Sequence, residues 1–173
     1  GSQSIKGIRY LEDRGSAQCK SSVMLAALNS SGTTFIKAKK SRNHSELLFK
    51  YLKIPIKIKK TKKYDFIDIK QPKKIRSFNY QIPGDISSSA FFMVLTTLTN
   101  DSKLLIKNVN INPSRIGVII ILKKMGAKIL LKNQKNYRGE KIADILIKSS
   151  NNLKAINCPS ELNSSAIDEF LVI

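Results

Sequence analysis

The spacing of apolar and polar residues predicts two amphipathic helices. Apolar residues recur at helical spacing in two stretches, at Cys19, Val23, Ala26 and Ala27, and at Phe91, Val94, Leu95 and Leu98. Because residues three and four positions apart share one face of a helix, each stretch predicts a helix with its apolar face toward a core. The run GSAQ at 15–18 precedes the first helix. Its serine, Ser16, is a common helix-start residue, which either caps the helix or also helps to hold an anion there.

The same succession of elements follows each predicted helix. A short strand comes next, then a second helix that begins near Ser41 or Asn112, and then lysine-bearing strands. Asn43 is followed three residues later by Glu46, a spacing typical of a capping box. The pattern therefore predicts an α-β-α-β-β succession that occurs twice.

The two successions indicate an internal duplication. Equivalent residues lie 70 or 73 positions apart, as in the pairs Leu28–Leu98 and Arg42–Arg115. A nearly constant offset of about 70 residues indicates a repeated structural unit. Pro83-Gly84 interrupts the pattern between the two copies, because proline and glycine end strands. We therefore expect a boundary between residues 1–82 and 83–173.

The end of the chain resembles the start of a third repeat. The run NCPSELNSSAIDEFLVI, 157–173, leads from small polar residues into an apolar helical pattern and stops at Ile173. A helix with an apolar face needs a neighbour on which to bury it. We therefore expect the 173-residue chain to be a fragment of a longer protein.

The composition is that of a water-soluble protein with a large positive charge. Apolar residues make up 42% of the chain, charged residues 25%, and the formal net charge is +19. No apolar run approaches the roughly 20 residues that span a bilayer, and no apolar signal core is visible, so we expect no membrane partner. Cys19 and Cys158 have no metal-type spacing, which favours a reduced, cytoplasmic chain without a metal.

The positive charge allows two interpretations. Residues 1–83 hold 19 Lys and Arg against 5 Asp and Glu, whereas residues 84–173 hold 12 against 7. The densest block, 57–76, alternates lysine with isoleucine and aromatic residues, which is typical of strands with a solvated lysine face. The same charge would suit a nucleic-acid-binding module. Against that alternative, no binding motif is visible, and the phenylalanines are predicted on apolar faces rather than on a stacking platform.

Five sequence words along nearly the whole chain resemble the 5-enolpyruvylshikimate-3-phosphate synthase family. They are KGIRY…GSAQCKSSVMLAAL, SRNHSELL, PGDISSSAFF, NVNINPSRIGVIIILKKMGA and SELNSSAIDEFLVI, in the family's order. The resemblance implies an α/β fold of α+β repeats, the enolpyruvyl transferase-like fold, in which β-α-β-α-β-β units form two domains around the active site. Residues 1–82 would be the later part of the first domain, and 83–173 the first part of the second, with a hinge near Pro83-Gly84.

The resemblance also implies an activity. Members of the family are 3-phosphoshikimate 1-carboxyvinyltransferases of the shikimate pathway, which leads to chorismate and the aromatic amino acids. They transfer the enolpyruvyl group of phosphoenolpyruvate to the 5-hydroxyl of shikimate 3-phosphate, with no metal or organic cofactor. Both substrates are phosphorylated carboxylates, so their site requires positive charge and fixed N–H donors. A basic cleft then needs no nucleic-acid partner, and we expect the parent protein to be a monomer.

Five residues acquire roles through the resemblance. Ser16 and Ala17 are expected to bind the phosphate of shikimate 3-phosphate, and Gln18 to reach its ring or phosphoenolpyruvate. Arg42 is expected to bind shikimate 3-phosphate. Asp168 is expected to contact the 5-hydroxyl of that substrate and to accept its proton. Simpler roles remain open, since a serine caps helices and a carboxylate in a first helical turn is stabilised by the helix dipole.

Two other enzymes with this fold are alternatives to the synthase. A transferase acting on UDP-N-acetylglucosamine would need a reactive loop cysteine, which neither Cys19 nor Cys158 matches. An RNA 3′-phosphate cyclase would need a nucleophilic histidine, whereas His44 falls in the synthase word SRNHSELL and is interpreted as a surface residue. Arg115 is interpreted as a structural counterpart of Arg42. The family's lysine-serine, arginine and lysine-glutamate motifs have no match, so we expect the chain to be inactive alone.

Overall fold

The computed structural model of the chain describes residues 5–173, apart from the side chains of Asn163 and Ser164. The chain divides into two compact units, Gly1–Asn79 and Tyr80–Ile173, which we call unit 1 and unit 2. None of the helices in the described residues has the length and apolarity needed to cross a membrane. The hinge near Pro83-Gly84 remains a prediction.

The described residues of unit 1 form a four-stranded sheet with two helices. In chain order the elements are β1 (Arg9–Glu12), α1 (Ala17–Ala27), β2 (Thr33–Lys39), α2 (His44–Tyr51), β3 (Ile56–Lys60) and β4 (Tyr64–Lys70). The strand order across the sheet is β1-β2-β4-β3. β1 runs parallel to β2, and the other neighbours are antiparallel.

The core of unit 1 lies between one face of this sheet and the two helices. Because side chains alternate between the faces of a strand, Ile36 of β2 and Ile67 and Ile69 of β4 point to the same side. There they pack with Met24 of α1 and Phe49 of α2 in one buried cluster. This arrangement leaves the other face of the sheet open.

Unit 2 repeats the plan with a three-stranded sheet. Its elements are α3 (Ile86–Leu98), β5 (Lys103–Asn110), α4 (Gly117–Met125), β6 (Lys128–Tyr137) and β7 (Glu140–Lys148). The strand order is β5-β7-β6, and both pairs are antiparallel. Gly84 forms a single parallel bridge to Val109 of β5, in the place that β1 holds beside β2 in unit 1. The order and sense of the elements thus match between the units, as the mixed α/β prediction required.

The segment that follows β7 differs from the prediction. The pattern indicated an apolar helix near the end of the chain, but the structure has three short pieces. These are a 3-10 turn at Ser160–Leu162, the four-residue helix α5 (Asn163–Ala166) and a 3-10 turn at Ile167–Glu169. The backbone changes helical type at Ala166, whose φ and ψ are −146° and 10°, so no continuous helix forms.

The predicted core face of α1 is wrong at two positions. Cys19 and Ala26 are exposed, whereas Lys20, Met24 and Ala27 are buried. The buried stripe is therefore shifted by one residue toward a lysine. A charged side chain is almost never buried unless it is paired, and the partner of Lys20 lies on α2, which the local pattern does not reveal.

The predicted core face of α3 is wrong at three of its four positions, since only Val94 packs against the core. Phe91, Leu95 and Leu98 are between 61% and 65% exposed. The buried side of the helix carries Ile86, Ala90 and Met93 instead. Since α3 is apolar on both sides, two faces satisfy the helical spacing, and the side with smaller residues packs on the sheet. The hydroxyls of Thr96 and Thr97 are satisfied by the carbonyls four residues earlier.

Two phenylalanines of unit 1 lie on the open face of the sheet. Phe35 and Phe66 are 40% and 39% exposed, and the Arg9 guanidinium lies 5.1 Å from the Phe35 ring centroid. The expectation that the phenylalanines occupy apolar core faces is wrong for these two. Strand alternation places them with the outward lysines because their neighbours Ile36 and Ile67 fill the core positions.

Candidate functional site

The predicted binding residues of unit 1 come from one edge of its sheet. β1 and β2 are parallel, so their carboxyl ends lie together, with Glu12 opposite Ala38. From this edge the chain enters α1 after β1 and α2 after β2. In open sheets flanked by helices, ligands bind at the carboxyl ends of parallel strands. The residues that follow these two ends are Ser16, Ala17, Gln18 and Arg42.

A buried carboxylate shapes the turn before α1. Glu12 is 3% exposed, and its two oxygens accept hydrogen bonds from the Arg14 N–H at 3.1 Å and the Gly15 N–H at 2.9 Å. Gly15 has a φ of 81°, a left-handed conformation that glycine adopts without steric cost. Glu12 and Gly15 together set the direction in which the chain enters α1.

Ser16 is the N-cap of α1. It has an extended backbone, with φ −83° and ψ 114°, and its Oγ accepts the Cys19 N–H at 3.2 Å. The N–H groups of the first helical turn, including those of Ala17 and Gln18, have no acceptor within the helix. Ser16 therefore caps α1. The N–H donors beside it that have no acceptor within the helix are suited to an anion.

Lys20 connects α1 to the beginning of α2. Its side chain is 1% exposed, and Nζ lies 2.7 Å from Oε1 of Glu46. Nζ also donates a hydrogen bond to the backbone carbonyl of Arg42 at 2.8 Å. A second contact joins the helices one residue further along, where the hydroxyls of Ser21 and Ser45 lie 2.6 Å apart. These contacts hold the start of α1 beside the start of α2.

The predicted capping box of α2 is wrong. Asn43 is the N-cap residue, but its side chain forms no capping hydrogen bond. Glu46 points toward Lys20 instead of returning to the helix start, and in the described residues neither of its oxygens accepts a backbone N–H. The three-residue spacing of Asn43 and Glu46 fits a local box and a tertiary ion pair equally well. In the structure Glu46 forms the ion pair with the buried Lys20 and not the capping box.

The two arginines that precede the second helices differ in their partners. Within residues 5–173 the half-buried Arg42 guanidinium forms no ion pair. Arg115 lies 3.2 Å from Oδ1 of Asp85 and also donates to the Ser87 hydroxyl. Arg115 thus secures the start of α3, which supports its interpretation as structural. Arg42 and Arg115 therefore differ in whether an acidic side chain of the described residues balances their charge.

Asp85 caps α3 in the same way that Ser16 caps α1. Its Oδ2 accepts the Ser88 N–H at 2.9 Å and the Ser88 hydroxyl at 3.0 Å. Partial burial acts to raise the pKa of Asp85, but the Ser88 hydrogen bonds and the charge of Arg115 outweigh it and lower the pKa. The carboxylate is therefore occupied with the helix start.

Asp168 lies in unit 2, in the turn Ile167–Glu169, and its side chain is exposed. The adjacent Glu169 is buried at 4% exposure, and its carbonyl accepts the N–H groups of Val172 and Ile173. The neighbouring acidic residues are thus in different environments. Asp168 is the one presented to solvent.

The structure groups the predicted site residues into two sets. Ser16, Ala17, Gln18 and Arg42 belong to unit 1, where the bond from Lys20 to the Arg42 carbonyl joins the starts of α1 and α2, and Asp168 belongs to unit 2. Sequence reasoning missed Glu12, Lys20 and Glu46, which hold the first set in place. A lysine within an otherwise apolar helix face was the available signal, because such a residue requires an anionic partner. Residues 5–173 contain no group of three His, Cys, Asp or Glu side chains that could hold a metal ion.

Comparisons with known proteins identify the family. A family model described as EPSP synthase (3-phosphoshikimate 1-carboxyvinyltransferase) matches residues 1–170. A 3-phosphoshikimate 1-carboxyvinyltransferase of Ruthia magnifica subsp. Calyptogena magnifica is 44% identical over 174 residues, which cover 100% of this chain and 39% of that protein. The protein of the same name from Thermoanaerobacter sp. (strain X514) is 42% identical over 170 residues, covering 98% of this chain and 39% of its own length.

A solved structure agrees with these matches. EPSP synthase from Acinetobacter baumannii superposes with a TM-score of 0.85 at 40% identity, over 98% of this chain and 38% of that one. The fold and these matches therefore define an α/β protein of the enolpyruvyl transferase-like class. The chain belongs to the EPSP synthase (3-phosphoshikimate 1-carboxyvinyltransferase) family. It spans 39% of the length of the curated relatives just named.

Proposed function

We propose that this chain is the part of a 3-phosphoshikimate 1-carboxyvinyltransferase that supplies a shikimate 3-phosphate subsite and a proton acceptor. In this reaction the 5-hydroxyl oxygen of shikimate 3-phosphate forms a bond to C2 of phosphoenolpyruvate. The hydroxyl proton leaves, and C3 of phosphoenolpyruvate gains a proton to give a tetrahedral intermediate. Loss of phosphate from C2 and of a proton from C3 then restores the enol double bond. No metal or organic cofactor is required by this sequence of steps.

The observation that carries the proposal is the bond from Lys20 to the Arg42 carbonyl, which joins the start of α1, with Ser16, Ala17 and Gln18, to the start of α2. A helix start offers N–H donors and a partial positive charge, and Arg42 adds a guanidinium without an internal anion. A phosphate monoester matches this combination because arginine and N–H donors form charge-assisted hydrogen bonds with its oxygens. In the proposal Ser16 and Ala17 bind that phosphate, and Gln18, which is exposed, contacts the ring or phosphoenolpyruvate.

Asp168 has the second proposed role. Bond formation requires the 5-hydroxyl to lose its proton, and a carboxylate within hydrogen-bond reach can orient the hydroxyl and accept it. The exposed position of Asp168 supports this role, since its neighbour Glu169 is buried. His44, the first residue of α2, and Arg115 have no assigned chemical step.

The proposal also includes a cytoplasmic location and a monomeric parent that binds no nucleic acid or membrane. The free thiols of Cys19 and Cys158 support a reducing compartment.

The test of the function is phosphate release from phosphoenolpyruvate and shikimate 3-phosphate by a full-length family member that carries this segment. Turnover that disappears in the Arg42→Ala variant supports the proposal, and a full-length protein without turnover contradicts it. The 173-residue chain alone is expected to be inactive.

One feature favours a second candidate function, binding of single-stranded nucleic acid. The open face of the sheet in unit 1 presents Phe35 and Phe66 among Arg9, Lys37 and Lys59, and bases stack on exposed aromatic rings. Titration of a fluorescent oligothymidylate at two salt concentrations tests it. We expect no saturable binding at physiological ionic strength. Binding that weakens steeply with salt, and that Phe35→Ser/Phe66→Ser abolishes, would favour the nucleic-acid function.

A further inference from the structure

We propose that Lys20 and Glu46 are positioning residues for Arg42. Their buried ion pair fixes the main chain of Arg42 beside the start of α1, so that its guanidinium and the α1 N–H groups bind one phosphate together. The inference rests on the proposed function of Arg42. It adds two residues to which the family resemblance gives no binding role.

The Lys20–Glu46 ion pair is unusual because both charged side chains are buried. Lys20 and Glu46 are 1% and 3% exposed, and lysine and glutamate are almost never buried to this degree unless paired. Lys20 is also the fourth residue of α1, near the positive end of the helix dipole, where a cation is unfavourable. Replacing such a pair by apolar residues is often neutral for stability or stabilising. Stability alone therefore gives little reason for a charged pair at this place.

The Lys20 ammonium contacts the main chain of Arg42 as well as Glu46. Its Nζ lies 2.7 Å from Oε1 of Glu46 in an ion pair, and it donates a hydrogen bond to the Arg42 carbonyl at 2.8 Å. An apolar side chain could pack here, but it could not donate to that carbonyl. The hydrogen bond to Arg42 is therefore what requires a lysine, and Glu46 is what allows its charge to be buried.

The fixed main chain affects how the Arg42 side chain binds an anion. Arg42 precedes α2 by two residues and has no ion-pair partner among residues 5–173. A long side chain on a loop loses conformational entropy when it binds an anion, and a fixed main chain reduces that loss. Because Lys20 and Glu46 neutralise each other, they fix the main chain without adding charge to the site. The positive charge that meets the phosphate remains that of Arg42 and the helix start.

The experiment uses a full-length family member that carries this segment, with shikimate 3-phosphate binding measured by calorimetry and Tm by circular dichroism. Two variants separate stability from position. Lys20→Met/Glu46→Leu replaces the pair by apolar residues and removes the donor to Arg42. Glu46→Gln leaves that donor in place while it unbalances the buried charge. We expect the first variant to lose less Tm than the second, because only the hydrogen bond to the Arg42 carbonyl is lost, and to bind about 10-fold more weakly. We expect the second to lose Tm and to bind within about 2-fold of the parent.

Two further variants test whether the pair acts through Arg42. In an Arg42→Ala background, Lys20→Met/Glu46→Leu should cause no additional loss of affinity, because the group that it positions is absent. Ser21→Ala/Ser45→Ala removes the other hydrogen bond between the helices, without touching the Arg42 carbonyl, and should leave affinity within about 2-fold. If the apolar pair does not fold, Lys20→Met/Glu46→Gln is the smaller neutral replacement with the same expectation for affinity.

Affinity and Tm together distinguish a failure of the positioning role from a failure of the proposed function of Arg42. Affinity that follows Tm across all variants, or an equal loss in the serine control, means that the ion pair is only structural and overturns the inference. If Arg42→Ala weakens binding and the neutral pairs do not, the inference fails while the proposed function of Arg42 stands. If Arg42→Ala leaves binding unchanged, the proposed function of Arg42 fails, and the positioning role fails with it.

Discussion

A β-carbon placed on Gly117 would lie 3.0 Å from the β-carbon of Ala166 and even closer to the hydroxyl of Ser165. Gly117 is the first residue of α4, and Ala166 ends α5, directly before the turn that contains Asp168. The helix and this segment approach so closely that a β-carbon on Gly117 would force Ser165 and Ala166 to shift. The glycine therefore sets the place of the turn that carries Asp168.

Gly117→Ala should destabilise the protein although alanine is the better helix former by about 1 kcal/mol. We expect a loss of about 1–3 kcal/mol in the free energy of unfolding, the usual effect of overpacking, together with lower turnover because Asp168 is displaced. Urea unfolding and a phosphate-release assay measure the two effects. Gly84→Ala is the matched control, since a β-carbon there would meet no atom closer than 3.7 Å. A Gly117→Ala variant as stable as the parent would contradict the packing argument.

Asp85 should make unfolding depend on pH. Partial burial raises its pKa, but hydrogen bonds from Ser88 and the charge of Arg115 outweigh this effect, so the pKa lies below the ordinary value of 3.8. A carboxyl group with a lowered pKa in the folded state binds fewer protons there than in the unfolded chain. Its contribution to stability is therefore complete above the ordinary pKa and is lost as the pH falls through the folded value.

The comparison variant for this effect is Asp85→Asn. Asparagine caps helices about as well as aspartate but does not titrate in this range. The parent should exceed the variant in free energy of unfolding at pH 6, by less than about 1 kcal/mol because the side chain is half exposed. The difference should shrink below pH 4. A difference that stays constant from pH 6 to pH 3 would show that Asp85 contributes no titrating charge.

The order of the elements followed from the sequence, but the faces of two helices did not. The repeated spacing and the breakers at Pro83-Gly84 are local signals, and they placed both helix-strand successions correctly. The face of α3 depends on what packs against it. Phe91 and Ala90 are apolar neighbours in the chain, and the structure buries Ala90 while it leaves Phe91 exposed.

The same distinction applies to the candidate site. Ser16 was predictable at the start of α1 because capping depends on residues three positions away. Lys20 and Glu46 were not paired by the sequence analysis, since Glu46 already had a local interpretation as part of a capping box. Their ion pair joins residues 26 positions apart, and no local pattern encodes it.

Ser16 should show two separable roles. Ser16→Ala/Gln18→Ala should weaken shikimate 3-phosphate binding by about 1.5–3 kcal/mol for each charge-assisted hydrogen bond that is removed. Loss of the cap alone costs about 1 kcal/mol of stability, so this variant does not by itself distinguish capping from binding. Ser16→Asp does, because aspartate caps a helix equally well but places a negative charge where the phosphate is proposed to lie. Calorimetric affinity and Tm report the two roles.

For Ser16→Asp we expect a Tm close to that of the parent and a loss of affinity of at least about 10-fold, from repulsion between two anions. A variant that keeps both Tm and affinity would reduce Ser16 to a helix cap. Asp85→Asn, in unit 2, is the control for cap substitutions in general and should leave shikimate 3-phosphate affinity unchanged.

The last prediction concerns the proposed proton acceptor. Asp168→Asn keeps the size of the side chain and one hydrogen-bond acceptor but removes the carboxylate that would take the 5-hydroxyl proton. In a full-length family member it should lower kcat by about 10²–10⁴-fold, the usual effect of a positioned acid or base. Affinity for shikimate 3-phosphate should fall much less, because orientation by one hydrogen bond survives. Phosphate release measures kcat, and calorimetry measures affinity.

The choice of control for Asp168 follows from burial. Glu169 is adjacent in the chain, but it is 4% exposed, so Glu169→Gln would disturb packing as well as charge. Glu161 is exposed in the turn Ser160–Leu162 and carries the same type of charge, which makes Glu161→Gln the matched variant. It should retain kcat within about 2-fold, the range of a surface substitution away from packing and hydrogen-bond features. If Asp168→Asn keeps near-normal turnover, or if Glu161→Gln loses as much, then Asp168 is a solvent-exposed carboxylate of a helical turn and another group accepts the proton.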